Sequence, residues 1–353
     1  TVKIEAFVSS KDFYSPQGAQ ILLEFYDNFL KEFELSINLL RLAQIISIIS
    51  GHLNDSEKAI EFINSVIEKV QSRKDNEAVV VLKVQVALWK LRAKDALATK
   101  KTLEEAKELI DKTGFVDNIV NAAYYKAQAD YNKVVDDPNE FYRSALLFLA
   151  YTPIENIQLR DRQAMAYDLG MAALLGDQIY NFGELLAHPV IESLNGTEAD
   201  WLVKLLFAFN KGRIEEYANV NQAFKQQIDN IAVLQHRKQF LEEKMKLMAV
   251  LELVFSKPAD DRAIPFSDVS QATGSSEEAV EPLLLKALAY GLIRGKIDEI
   301  AQKIHITWVQ PRVLDKDQIS QLKFKVGSWL AKVDNTLDYL QKQGSDEITT
   351  TSS

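Results

Sequence analysis

Enzymatic chemistry needs a nucleophile, a base or a bound metal, so the residues able to supply one come first. The chain has four histidines, His52, His188, His236 and His305, and no cysteine. No two histidines stand at the spacing by which a helix or turn presents metal ligands, and no His-Glu-x-x-His occurs. Without cysteine there is no thiolate zinc site, iron–sulfur cluster, disulfide or cysteine nucleophile. No P-loop or Gly-x-Gly-x-x-Gly marks a phosphate cradle, and no elbow sequence marks a serine nucleophile. The neighbouring carboxylates Glu104 and Glu105, like Glu242 and Glu243, would point about 100° apart on a helix, as ordinary solvated positions do. Each histidine therefore reads as a surface or capping residue. The expectation is a protein with no catalytic residues, no metal and no cofactor.

Composition narrows the remaining classes. A length of 353 residues suggests about two domains. Glycine at 13 and proline at 8 are too few for a sandwich or barrel with many turns, and they favour long helices. The 41 Lys and Arg against 50 Asp and Glu leave a net charge of −9, which disfavours a nucleic-acid partner. No apolar run reaches the roughly 18–20 residues of a membrane span. The chain begins on Thr1, which reads as a fragment or a processed start.

The elements that could position a functional surface follow from periodicity. Through about residue 239, apolar residues recur at three- and four-residue spacing, as in Leu39, Leu42, Ile45, Ile46 and Ile49. Short breaks separate these runs at Gly51 to Asp55, Gly114, Asp136 to Pro138, Pro153, Gly176, Asn195 to Gly196 and Asn210 to Gly212. Such helices pack as antiparallel pairs, and stacked pairs give a solenoid, although no strict repeat consensus is visible. Val80 to Leu88 is β-branched and looks like a strand, but a lone strand among helices has no partner for its backbone, so a buried helix is expected. Thr102 with Glu105, and Ser275 with Glu278, have the spacing of capping boxes.

Beyond Pro258 the texture changes. A helix over about 240–255 is followed by an extended piece at Arg262 to Phe266, a short helix, and a helix that Gly291 stops. Leu292 to Ile297 and Lys303 to Trp308 then read as strands, with Ile304, Ile306 and Trp308 on one face. This is the order of a winged helix. Its region from Leu241 to Arg312 carries nine Lys and Arg against eleven Asp and Glu, and the helix that would enter a groove offers Glu277, Glu278 and Glu281 against Lys286. Phosphate contacts need cations, so DNA reading is not expected. Leu283, Leu284, Leu285, Leu288 and Tyr290 read as that helix's packing surface. The strands leave an edge formed by Leu292, Ile293, Arg294, Gly295, Lys296, Ile297, Ile304, Ile306 and Trp308. Either it is solvated, with Lys296 and Lys303 protecting it, or it pairs with a neighbour's strand.

A last helix over about 315–343 carries Ile319, Leu322, Val326, Trp329, Val333 and Leu340 on a heptad seam, with Leu330 and Leu337 beside it. Thr336 interrupts the seam and Gly327 weakens the helix by about 1 kcal/mol. Either the seam packs back on its own winged helix or it joins helices of other subunits. The expected architecture is mainly α. An α-solenoid over 1–239 precedes a winged helix with a small antiparallel sheet over 240–312. A C-terminal helix over 313–343 and a disordered tail over 344–353 complete it.

Helical array, winged helix and C-terminal helix in that order resemble the PCI-domain family, the scaffold subunits of the proteasome lid, the signalosome and a translation initiation complex. The segment YNFGELLAHPVIESL (Tyr180 to Leu194) is most similar to the proteasome lid branch. So are DWL (Asp200 to Leu202), GLIRGKID (Gly291 to Asp298) and ITWVQPR (Ile306 to Arg312). The resemblance implies a non-catalytic scaffold of the 26S proteasome lid in the cytoplasm and nucleus, acting in ubiquitin-dependent degradation. It implies sheet contacts through the strand residues above, a helical bundle through Ile319 to Leu340, and a hinge at Gln310, Pro311 and Arg312. Implied partners in the hetero-oligomer are other lid PCI subunits, the lid deubiquitinase pair and a ubiquitin receptor. Trp201, Phe182 and Leu185 would be solenoid core. The other PCI complexes are the alternative, and the Tyr180 to Leu194 segment argues against them.

Overall fold

The computed structural model describes residues 7–8, 16–32, 34–258, 262–313 and 316–350, with residues 16, 17, 35, 316–318, 321, 325 and 340–350 described by their backbone. The described residues fall into two units. The first draws on Thr1–Tyr180, His188–Ala208 and Glu215–Met245, the second on Asn181–Ala187, Phe209–Ile214 and Lys246–Ser353.

The first unit is helical throughout. Its N-terminal elements are α1 (Pro16–Phe25), α2 (Leu39–Gly51), α3 (Ser56–Ser72), α4 (Asn76–Arg92), α5 (Ala96–Thr113), α6 (Asn118–Val135), α7 (Pro138–Tyr151) and α8 (Leu159–Leu175). Each of α3 to α7 begins within a few residues of the previous helix's end, whereas α2 follows turns at Tyr26–Leu30 and Glu34–Ser36, and α8 follows a 3₁₀ turn at Ile154–Asn156. From α3 onward, each helix packs on its successor, while α4 also touches α2 and α6. That neighbour pattern is the one stacked helical hairpins produce. It places α4 in the middle of the array and explains its composition. Val79, Val80, Val81, Leu82, Val84, Val86 and Ala87 are all buried, so the β-branched stretch is a helix covered on every side, as expected.

The helix starts share one device. Asp55, Asp75, Asp95, Asp117 and Asp137 are N-caps, and each accepts a backbone N–H of the first turn, for example Ala98 N at 2.9 Å from Asp95 Oδ1. Thr102 is consequently not a cap. It lies inside α5 and donates from Oγ1 to the Ala98 carbonyl at 2.8 Å, the back-bond a mid-helix threonine makes.

The chain then passes between the units: α9 (Gly183–Ala187) belongs to the second, α11 (Ile214–Ala223), α12 (Lys225–Asp229) and α13 (Ala232–His236) essentially to the first, and α10 (Asp200–Lys211) and the longer α14 (Lys238–Ser256) contribute to both. The second unit then adds β1 (Ala263–Pro265), α15 (Phe266–Thr273), α16 (Glu277–Ala289), β2 (Ile293–Asp298), β3 (Lys303–Val309) and α17 (Lys316–Thr350). The sheet is antiparallel in the order β1-β3-β2, with Ile264 and Ile297 both opposite Ile304. A bulge at Arg294–Gly295 shifts the β2 register. Ile264, Val269, Val280, Leu284, Ala287, Ile293, Ile304 and Ile306 are buried in this small domain. Gly291, at φ 68°, ends α16 as expected, and Leu292 N donates back to the Ala287 carbonyl.

Four expectations change here. Ser276, not Ser275, precedes α16, and it makes no side-chain capping bond; Ser275 instead donates its N–H to the Ser270 carbonyl. Leu285 and Tyr290 are exposed, because α16 turns only the face of Val280, Leu283, Leu284 and Ala287 into the core. Phe182 and Leu185 are buried in the second unit, not the first, with the Phe182 ring 5.7 Å from Phe209. Trp201 is buried in the first unit as expected. The last helix continues to Thr350, since extending a helix adds a hydrogen bond per residue without a new nucleation cost. Asp315 and residues 351–353 of the expected tail lie outside the described residues.

Candidate protein-interaction surfaces

The titratable groups make structural bonds. Tyr26 donates to Glu34 at 2.5 Å and Lys69 Nζ lies 2.6 Å from the same carboxylate. Burial first, and Glu34 second, raise the Tyr26 phenol above its ordinary range, so it stays a neutral donor. His188 Nδ1 accepts the Val190 N–H at 3.1 Å and caps the turn Pro189–Leu194. Burial holds that imidazole below its ordinary value. Glu105 is ion-paired with Lys83, and the hydrogen bond from Lys83 is the main reason its carboxyl sits below the usual range. Among the described residues no three His, Asp or Glu side chains gather into a metal site. No described helix is long and apolar enough to cross a membrane.

Lys244 is the most buried charge-bearing side chain in the first unit and was not singled out by its sequence. Its Nζ donates to the carbonyls of Ala173 at 2.7 Å, Leu174 at 3.3 Å and Gly176 at 2.5 Å. These are the open carbonyls at the end of α8, where the helix dipole is negative. The rings of Tyr180 and Phe240 lie 5.2 and 5.7 Å from the nitrogen. Burial pushes this amine down from 10.5 to about 7, with Asp177 acting the other way.

The expected sheet edge is only partly an edge. Strand β3 lies between β1 and β2 and is hydrogen-bonded on both sides, so Ile304 and Ile306 are core residues of a central strand. Trp308, half-buried on the same strand, lies under the Arg294 guanidinium at 4.7 Å. The open edge in this part of the sheet belongs to β2. There Arg294 and Lys296 are exposed, Gly295 and Ile297 half-buried, and Leu292 and Ile293 buried beneath.

The C-terminal helix carries the larger surface. Ile319, Leu322, Val326, Trp329, Leu330, Val333 and Leu337 all stand exposed, Trp329 at 68%. The expected seam residues are exposed, as is every other described side chain from 319 to 339; the Leu340 side chain lies outside the described residues. Phe324, at 78% exposure, sits away from the seam and was not anticipated. Burying a side chain of this kind contributes roughly 1.5–3 kcal/mol, so seven of them in water leave a large apolar surface uncovered.

The segment between β3 and α17 is anchored within the second unit. Gln310 N donates to the Leu292 carbonyl at 2.8 Å. Arg312 is ion-paired with Glu252, donates from Nη1 to the Asn210 carbonyl at 3.3 Å, and stacks 4.3 Å from the Phe255 ring centre. Val313 N donates to Asn181 Oδ1 at 3.4 Å. The expected hinge is thus a clamped strap up to Val313. A patterned helix or strand predicts its own face, whereas the Arg312 and Val313 contacts join residues 57 to 132 positions apart, which no local spacing reveals.

Comparisons with known proteins agree with this arrangement. A family described as PSD13 N-terminal repeats matches residues 1–206, and the PCI domain family matches 219–308. The 26S proteasome non-ATPase regulatory subunit 13 homolog A of Arabidopsis thaliana is 38% identical, over 99% of this chain and 90% of its own length. The 26S proteasome non-ATPase regulatory subunit 13 of Dictyostelium discoideum is 34% identical, over 93% and 85%. The 26S proteasome regulatory subunit RPN9 of Saccharomyces cerevisiae is 30% identical, over 95% and 87%. With a helical array, a winged helix, a C-terminal helix and relatives matching nearly end to end, the chain belongs to the family of 26S proteasome non-ATPase regulatory subunit 13, or Rpn9, whose C-terminal part is a PCI domain.

Proposed function

We propose that the chain is a non-catalytic scaffold subunit of the proteasome regulatory-particle lid. It holds neighbouring subunits in register so that ubiquitin removal and substrate delivery take place together. The observation that carries the reading is the exposed apolar seam of α17, because a row of Leu, Val and Trp in water marks a surface meant to be covered. Its residues Ile319, Leu322, Val326, Trp329, Leu330, Val333 and Leu337 would join partner helices. The β2 edge from Leu292 to Ile297 would extend a neighbour's sheet, and its bulge together with Lys296 limits that pairing to a fitting partner. The helical array over 1–239 would reach toward the deubiquitinase pair and a ubiquitin receptor. The site of action would be the cytoplasm and nucleus, where proteasomes work.

The test is a mild-salt pull-down of the tagged chain from cell extract, read by mass spectrometry. Lid and base subunits are expected in near-equal amounts with the bait. Signalosome or initiation-factor subunits in their place would keep the scaffold mechanism and refute the assignment to the lid. Purified chain is further expected to hydrolyse neither ubiquitin conjugates nor nucleotides. Turnover that followed the chain through purification and survived chelation would refute the non-catalytic reading.

A further inference from the structure

Helix α17 carries its charge in two blocks. From Lys316 to Lys332 there are four lysines and one aspartate, a charge of +3. From Val333 to Thr350 there are Asp334, Asp338, Asp346 and Glu347 against Lys342, a charge of −3. Two such blocks on one helix complement a partner that carries the same two blocks in reverse order. The same helix has an apolar seam exposed along the positions described from Ile319 to Leu337.

One occupant supplies both requirements. A second α17 lying antiparallel sets each +3 half against a −3 half, opposes the two dipoles and covers seam with seam. A parallel copy would set like charge on like charge along the whole length. The midpoint of the 35-residue helix is Val333, so in an end-to-end pair the two-fold axis passes near it and Trp329 of one copy faces Leu337 of the other. In that register Val326 to Leu340 of one copy faces Leu340 to Val326 of the other, so at 1.5 Å per residue seam covers seam over about 22 Å, some two heptads, and the charged blocks flank it. We propose that the free chain associates with a second copy of itself through an antiparallel pairing of α17. This pairing concerns the chain before it meets any other partner and does not depend on which complex it later joins.

Sedimentation equilibrium on the full chain tests it. A mass of twice 39.9 kDa is expected at about 50 μM. Dissociation should increase with salt, as charge pairing requires. K323E/K332E makes both halves acidic, and D334K/D338K makes both basic; all four positions are exposed. Each variant alone should weaken association about tenfold or more, and an equimolar mixture of the two should restore it. In a parallel pair K323E/K332E would not weaken association, because like charges already face one another. Circular dichroism should match the parent in both, since the changed side chains are solvent-facing. A monomeric parent at about 50 μM overturns the proposal. So does a dimer that K323E/K332E leaves unchanged, or one that survives V326D/W329D/V333D with its affinity intact.

Discussion

Gly183 lies so close to Val313 that a Cβ built on it would stand 2.8 Å from the Val313 carbonyl oxygen and 2.9 Å from the Val313 Cβ. Backbone cannot yield as a flexible side-chain end can, so position 183 accepts only hydrogen. The contact joins the start of the Tyr180 to Leu194 segment, by which the chain first resembles its family, to the strap that leads into α17. Gly183→Ala should therefore displace the strap and destabilise the protein by about 1–3 kcal/mol, the usual cost of overpacking. Denaturant unfolding measures this. A variant as stable as the parent would show that the strap shifts freely.

Arg312 should tolerate no conservative replacement. Its guanidinium pairs with Glu252, reaches the Asn210 carbonyl and stacks on Phe255 at once. A lysine ammonium has neither the planar face nor the fork to do all three. Arg312→Met should cost about 2–4 kcal/mol, because Glu252 loses its partner, and Arg312→Lys about 1–2 kcal/mol, because an ammonium can keep Glu252 but neither stacks on Phe255 nor reaches the Asn210 carbonyl at the same time. Equal stability of Arg312→Lys and the parent would assign the arginine no more than a point-charge role.

At concentrations low enough to keep the free chain monomeric, replacing Val326, Trp329 and Val333 together with Asp should leave its thermal unfolding within a few degrees of the parent, while preventing co-purification with partner subunits. In the single chain all three side chains are exposed, so the change removes no described core contact. Loss of the cooperative unfolding transition would show instead that the seam is part of the chain's own core.

Lys244 predicts a pH effect of definite sign. Burial lowers its folded-state value to about 7, whereas the unfolded amine keeps its proton to about 10.4. Between these values the unfolded state binds more protons, so stability rises with pH from about 7 toward 10 and this contribution is lost as pH falls toward 7. Lys244→Met should remove that rise. The comparison is of denaturation midpoints for parent and variant at about pH 7 and pH 9.5, and parallel profiles would exclude the effect.

Asp95→Ala should cost about 1 kcal/mol, because the Ala98 N–H loses its cap. Thermal unfolding of the full chain reads the difference. No change would mean that water replaces the carboxylate without loss.

The amino-acid sequence by itself determined the element types and their order. Helical spacing from Leu39 to Ile49, the buried helix around Val84, the stop at Gly291 and the seam from Ile319 to Leu337 all follow from local periodicity, which is a property of neighbours in the chain. It also carries a periodic signal: the caps Asp55, Asp75, Asp95, Asp117 and Asp137 recur every 20 to 22 residues and pace the helical array. Tertiary structure alone decided which pairs of distant residues meet. Strand order made β3 central and withdrew Ile304 and Ile306 from the edge. Helix orientation exposed Leu285 and Tyr290. Packing put Phe182 beside Phe209, Gly183 against Val313 and Lys244 on the carbonyls that end α8. Such contacts depend on how separate elements close on one another, and the free energy of that closure is shared among residues too far apart for any local pattern to encode.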